Sequence, residues 1–216
     1  MGVQRPYADP LAHPPRGGFF SRFPRLAAFR DDAAAWCAGR SCVWRAVLLA
    51  YLAWVGVRHL RDPFYSSLFG GITLGIHELG HLLLSWAGQF PGVAGGSLAQ
   101  VAAPAAAAWR LYRQRDYFGV AVAGAWEAFS LWNLATYVGD ARAMELPLVG
   151  FVSDPIHDWN WLLSKLGILT WDRGLATLAR FSALTVWAAA LALGVWLCRT
   201  MAGARKRERG ARMDQP

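Results

Sequence analysis

His77, Glu78 and His81 form an H-E-x-x-H motif inside an otherwise apolar run from residue 64 to residue 87. On a helix, positions i and i+4 share one face about one turn apart, so His77 and His81 can offer two imidazoles to one metal ion. Glu78 can reach a water held by that metal, the position of the general base in zinc-dependent hydrolysis. Ionisable groups at a bilayer centre cost roughly 2.5–3.5 kcal/mol each, so this cluster needs compensation that a bound cation can supply. Catalytic zinc takes three protein ligands and keeps one position open. Three residues are candidates for the third ligand: Asp140, which follows a helix carrying Asn133; His157, in a polar cluster at residues 154–160; and Glu127, inside an apolar span. Depth favours Glu127, because the motif sits below the end of its helix whereas Asp140 stands at the end of its own.

The elements that must position these groups are membrane helices. The chain has 216 residues, of which 55% are hydrophobic and 12 are Trp, too apolar for an ordinary soluble domain. The pattern predicts an all-α, polytopic membrane helix bundle of about five spans, or six, embedded in the lipid bilayer. The spans are expected at residues 42–57, 64–87, 98–111, 117–138 and 175–198. Between the second and third lies a Gly- and Pro-rich stretch, residues 88–97, which reads as a loop. Gly95 and Gly96 there could let an extended substrate make backbone hydrogen bonds. Residues 1–41 are expected as an N-terminal interfacial or flexible segment without a signal peptide, residues 42–198 as the membrane domain, and residues 199–216 as a basic disordered tail. Cys37, Cys42 and Cys198 make no disulfide or metal pattern and read as free thiols.

The net charge is +8, but the basic residues sit at the ends of apolar runs, which excludes nucleic-acid binding and follows the positive-inside rule. With five alternating spans, residues 58–62, residues 110–116 and the tail fall on one side and are all basic. The net-acidic stretch 140–173 falls on the other. The expected location is therefore the cell membrane, multi-pass, with a cytoplasmic C-terminus and an external His157 loop. The N-terminal arginines are the exception, since this order places them outside unless a further span or re-entrant element is present.

HELGH in a membrane helix, followed two spans later by Asn133 and Asp140 at a helix end, resembles the site-2 protease family of intramembrane zinc metallopeptidases. The resemblance implies a Zn²⁺ cofactor held by His77, His81 and Asp140, with Glu78 as general base. It implies that Asn133 contacts the substrate backbone, and that the substrate is a membrane-spanning or membrane-proximal peptide. Structural alternatives stand beside these roles. Asp140 could cap its helix or pair with Arg142, Asp158 could cap a short helix after His157, and Glu127 could be protonated and bonded to a neighbouring span. The alternative for the whole chain is a non-proteolytic, metal-binding membrane protein that acts as a binding partner.

Overall fold

The computed structural model describes residues 24–148 and 156–213, and these residues are helical with no strand. Seven α-helices follow in order: α1 (Pro24–Trp36), α2 (Val43–Arg61), α3 (Leu68–Leu84), α4 (Gln89–Arg113), α5 (Tyr117–Gly139), α6 (Asp158–Lys165) and α7 (Asp172–Met213). Among the described residues, three stretches are long and apolar enough to cross a membrane: Val43–Arg61, Leu68–Ala87 and Leu169–Arg207. The basic stretch after Cys198, expected as a disordered tail, continues α7 as helix to Met213. The three cysteines are free thiols.

The motif helix α3 is built the opposite way from a helix of a soluble protein. Its buried residues are Thr73, His77 and Gly80, at the i, i+4, i+7 spacing of one face. Leu68, Ile72, Leu79, Leu82 and Leu83 are exposed. An apolar outer surface around a polar inner stripe is stable where the surrounding solvent is hydrocarbon.

Contacts along the helices set their directions. At the start of α2, Trp44 packs edge-on against Phe118 at the start of α5. At the end of α2, His59 stacks on Phe129 and Trp132, and the Thr136 hydroxyl donates to the Pro63 carbonyl. Thus α2 and α5 run parallel. Helix α7 runs against both: Gly56 abuts Trp187, Gly194 abuts Leu49, and Gly124 abuts Ala190.

Then the chain doubles back. Asp62 ends α2 ahead of Pro63, and its carboxylate accepts from the Phe64 amide at 2.9 Å, closing a tight turn. Tyr65 folds against His59 and Trp54, and Phe69 reaches Phe129 midway along α5. From that depth α3 runs parallel to α5, with Thr73 beside Trp126 and Ser130 and His77 beside Tyr137. The expected alternation of spans therefore fails between α2 and α3, and residues 58–62 lie at the same end as residues 140–148. The N-terminal helix lies at the opposite end. Phe29 and Trp36 pack on Tyr117, Asp32 pairs with Arg115, and Cys37 donates to the Leu197 carbonyl. The chain folds back at residues 62–67, while residues 1–23, where a further span or re-entrant element was expected, lie outside the described residues.

The Gly-rich stretch after α3 is also not a loop. Residues 89–97 are the first turns of a 25-residue α4 that absorbs the short third span. Pro91 is tolerated because it falls in the first helical turn. The glycines serve packing: a Cβ on Gly80 would lie 2.2 Å from the Gly95 carbonyl oxygen, and one on Gly95 would lie 2.4 Å from that of Gly80. With helical backbone groups occupied, Gly95 and Gly96 cannot hold an extended substrate by backbone hydrogen bonds. Gly80→Val should therefore lower stability by about 2 kcal/mol or more through overpacking. Gly75→Ala in the same helix, where the added methyl meets nothing, should be neutral or slightly stabilising, as read by detergent-solubilised melting temperature.

Candidate metal centre

Three acceptor atoms converge at the α3–α4 interface. His77 Nε2 lies 3.0 Å from His81 Nε2, and the Asp158 Oδ2 oxygen lies 3.1 Å from the first and 3.2 Å from the second. The metal-facing identity of both nitrogens follows from what their other ring atoms do. His81 Nδ1 is 2.9 Å from the Gly92 carbonyl, which can only accept, so Nδ1 carries the proton. His77 Nδ1 is 2.8 Å from Gln100 Oε1, while Gln100 Nε2 donates to the Ser130 carbonyl at 3.1 Å. That orientation makes Oε1 the acceptor and gives His77 the same tautomer.

Both Nε2 lone pairs and a carboxylate oxygen therefore point into one small space. Tetrahedral ligands about 2.0–2.1 Å from zinc stand roughly 3.3 Å from one another, close to the separations found here. Gly96 keeps the space clear, because a Cβ at that position would lie 2.5 Å from His81 Nε2 and 2.6 Å from His77 Nε2. Burial pushes the Asp158 carboxyl up, but with no cation between the three groups a second proton on an imidazole lets its Nε2 donate to Asp158, and this holds the carboxyl below the usual carboxylate range. The donor set of two imidazoles and one ionised carboxylate fits a divalent cation such as zinc. Glu78 stands beside it: potential ligand atoms of His77, Glu78 and His81 all lie within 4.8 Å of one another.

The structure thus brings Asp158 to the histidines, where the sequence pointed to Asp140, His157 or Glu127. The Asp140 oxygens are occupied by the Glu145 and Leu146 amides, each at 3.0 Å, and by His157 Nε2 at 3.3 Å. His157 accepts from the Asn160 amide at 3.2 Å and caps α6, the role the sequence suggested for Asp158. Glu127 has its Oε2 buried without a hydrogen-bond partner and makes no contact with the site histidines. Asp140 and His157 act indirectly. They anchor the first turn of α6, and the Tyr137 hydroxyl accepts from the Asp158 amide at 3.0 Å, so Asp158 is held at its own backbone. Trp159 Nε1 donates to Ser97 and fastens α6 onto α4.

The cluster lines a cavity of about 630 Å³ that also reaches Glu78, Asn133, Thr136 and Tyr137. Its walls are mostly apolar, among them Leu74, Val93, Leu146 and Ile156. Asn133 thus shares the cavity with the motif but touches neither histidine through any hydrogen bond. Residues 154 and 155 of the polar cluster lie outside the described residues.

Asp158→Asn should lower zinc affinity by more than about 100-fold, whereas Asp140→Asn, acting through His157 and α6, should stay within the roughly 10–100-fold range of outer-shell partners. Gly96→Ala should remove bound zinc while leaving the helix content intact. Zinc quantified after competition with a chelator reads all three; equal loss in Asp140→Asn and Asp158→Asn would return Asp140 to the ligand set. No family model, curated protein or solved structure matches the chain.

Proposed function

We propose that this protein is an intramembrane zinc metallopeptidase that cleaves a membrane-spanning or membrane-proximal peptide. The observation that carries the reading is the convergence of His77, His81 and Asp158 beside Glu78 on the wall of one cavity. The resemblance of the HELGH helix to the site-2 protease family points the same way, with Asp158 in place of Asp140 as third ligand. His77, His81 and Asp158 would hold a zinc ion, which when bound would supply Lewis-acid chemistry toward a carbonyl and a water nucleophile near neutral pH.

The remaining roles fall to the chain. His77, His81 and Asp158 fix the metal, and Gln100 and the Gly92 carbonyl hold the two imidazoles in the ligating tautomer. Glu78 takes a proton from the water that adds to the peptide carbonyl. It then gives a proton to the departing amine as the C–N bond breaks, leaving a carboxylic acid and an amine. The substrate must enter unwound, because carbonyls in a helix are already hydrogen-bonded. Polar groups on the cavity wall, Asn133 and Thr136 among them, are suited to pair with an unwound backbone.

Orientation completes the reading. Helix α1, the α4–α5 turn with Arg113 and Arg115, and the end of α7 with Arg205, Lys206 and Arg207 share one end of the bundle. This is the cationic end, so we place it in the cytoplasm together with the C-terminus, and the metal centre toward the external face. The arginines of α1 then obey the positive-inside rule, and Arg58 and Arg61 at the end of α2 become the exception. Reporters fused before Pro24 and after Met213 should both read cytoplasmic, and one inserted near Glu145 should read external. An external N-terminus would restore the alternating five-span order.

Glu78→Gln separates enzyme from binder. Glutamine keeps the size of the side chain but cannot accept a proton at neutral pH. Zinc content should stay near wild type, while cleavage of a reporter membrane peptide falls by roughly 10²–10⁴-fold or more. Full cleavage by Glu78→Gln would sink the peptidase assignment, and zinc retention without cleavage in the wild type would favour the metal-binding alternative.

A further inference from the structure

Because α3 begins only midway along α5, the bundle has a gap beneath its first turn. At the cationic end, α2, α4 and the start of α5 border a second cavity, of about 440 Å³, which none of the described helices fills. Phe69 roofs it, and Ala107, Leu111 and Val122 form apolar walls. Arg45 from the first turn of α2 and Asp116 from the cap of α5 also line it. Both charges therefore belong to helix ends at the cationic face, whereas Phe69 lies deeper.

Arg45 is incompletely satisfied. Its Nη1 donates to the Ser41 carbonyl at 2.6 Å and its guanidinium lies 4.3 Å from the Trp44 ring centre, but its Nε is buried with no hydrogen-bond partner. A buried cationic donor left unpaired is unfavourable, and the acceptor that repairs it best is an anionic oxygen. Asp116 uses Oδ1 to accept from the Gly119 amide at 3.0 Å, so it contributes a fixed negative charge to the same cavity. An apolar void bordered by one cation and one carboxylate, at the cationic end of the bundle, matches a ligand with a hydrocarbon chain, a phosphate and an ammonium.

We propose that this gap binds one aminophospholipid molecule, with an acyl chain beneath Phe69, the phosphate on Arg45 and the primary ammonium on Asp116. The lipid takes the place that the missing half of α3 would occupy and closes the bundle at its cytoplasmic end. The site is separate from the metal centre, so it stands whether or not the protein is a peptidase, and rests only on the chain being embedded in a membrane.

The test is native mass spectrometry of the full chain, extracted in mild detergent from vesicles of equal parts phosphatidylethanolamine, phosphatidylglycerol and phosphatidylcholine. One phosphatidylethanolamine should remain per chain. Arg45→Met, which keeps the side-chain stem, should lower retention about tenfold, the effect of losing one hydrogen bond to a charged group. Asp116→Asn retains a capping side chain and should abolish the preference for phosphatidylethanolamine over phosphatidylglycerol. Ala107→Phe, which fills the cavity, should remove the lipid while circular dichroism shows unchanged helix content. Absence of a retained lipid in the wild type, preference for phosphatidylglycerol, or retention unaffected by both Arg45→Met and Ala107→Phe would overturn the proposal.

Discussion

The rest of the structure depends on how closely α3 and α4 approach at Gly80 and Gly95. There the backbone of each helix occupies the volume that a side chain on the other would need. Dispersion and close packing drive such contacts in lipid, where hydrophobic association between helices is absent. The approach has a chemical consequence. It brings the Gly92 carbonyl and the Gln100 side chain to the outer nitrogens of His81 and His77, and it places Gly96 where the inner nitrogens need room. A single bulky residue at this crossing would move the whole set.

Polar groups placed inside an apolar bundle must be satisfied, and the site shows how. His77 leads to Gln100 and on to the Ser130 carbonyl, and Ser130 shares its hydroxyl with Thr73, which also accepts from Trp126. This chain ties α3, α4 and α5 together at one level. A second chain, from Asp140 through His157 to the cap of α6 and from Tyr137 to the Asp158 amide, brings in the Asp158 carboxylate. What remains unsatisfied is the meeting of three acceptors, two imidazole lone pairs and a carboxylate. Their mutual repulsion is relieved by a second proton on an imidazole or by a cation between them, and a metal ion alone serves all three acceptors at once, which makes the cluster a candidate metal centre.

The reversal at residues 62–67 links this site to the membrane. By returning into the bundle before α3 starts, the chain sets the two histidines near the end of α5, beneath α6, and leaves a gap at the opposite end. It also gathers the N-terminal helix, the α4–α5 turn and the end of α7 at one cationic end. This order brings the arginines of α1 to the other cations, and leaves Arg58 and Arg61 at the end of α2 as the exception.

Helical periodicity alone placed His77 and His81 on one face, with Glu78 adjacent, because those relations are local and any α-helix enforces them. The all-helical class was legible from composition and run length, and of the five expected spans the first, second and fifth are matched by stretches long and apolar enough to cross a membrane, whereas those at residues 98–111 and 117–138 are not. The carboxylate that joins the two histidines was not. Asp158 stands 81 residues beyond His77, and its role depends on His157 taking the helix cap and on α6 docking through Trp159, none of which leaves a periodic trace in the sequence. Nor could glycine density reveal that residues 89–97 are helical, since the same residues that permit turns also permit close helix contact, and only the presence of α3 against them decides which. The direction of α3 was likewise decided by packing: Tyr65 and Phe69 find their partners on α2 and α5 only if the chain folds back, a choice that hydropathy cannot record.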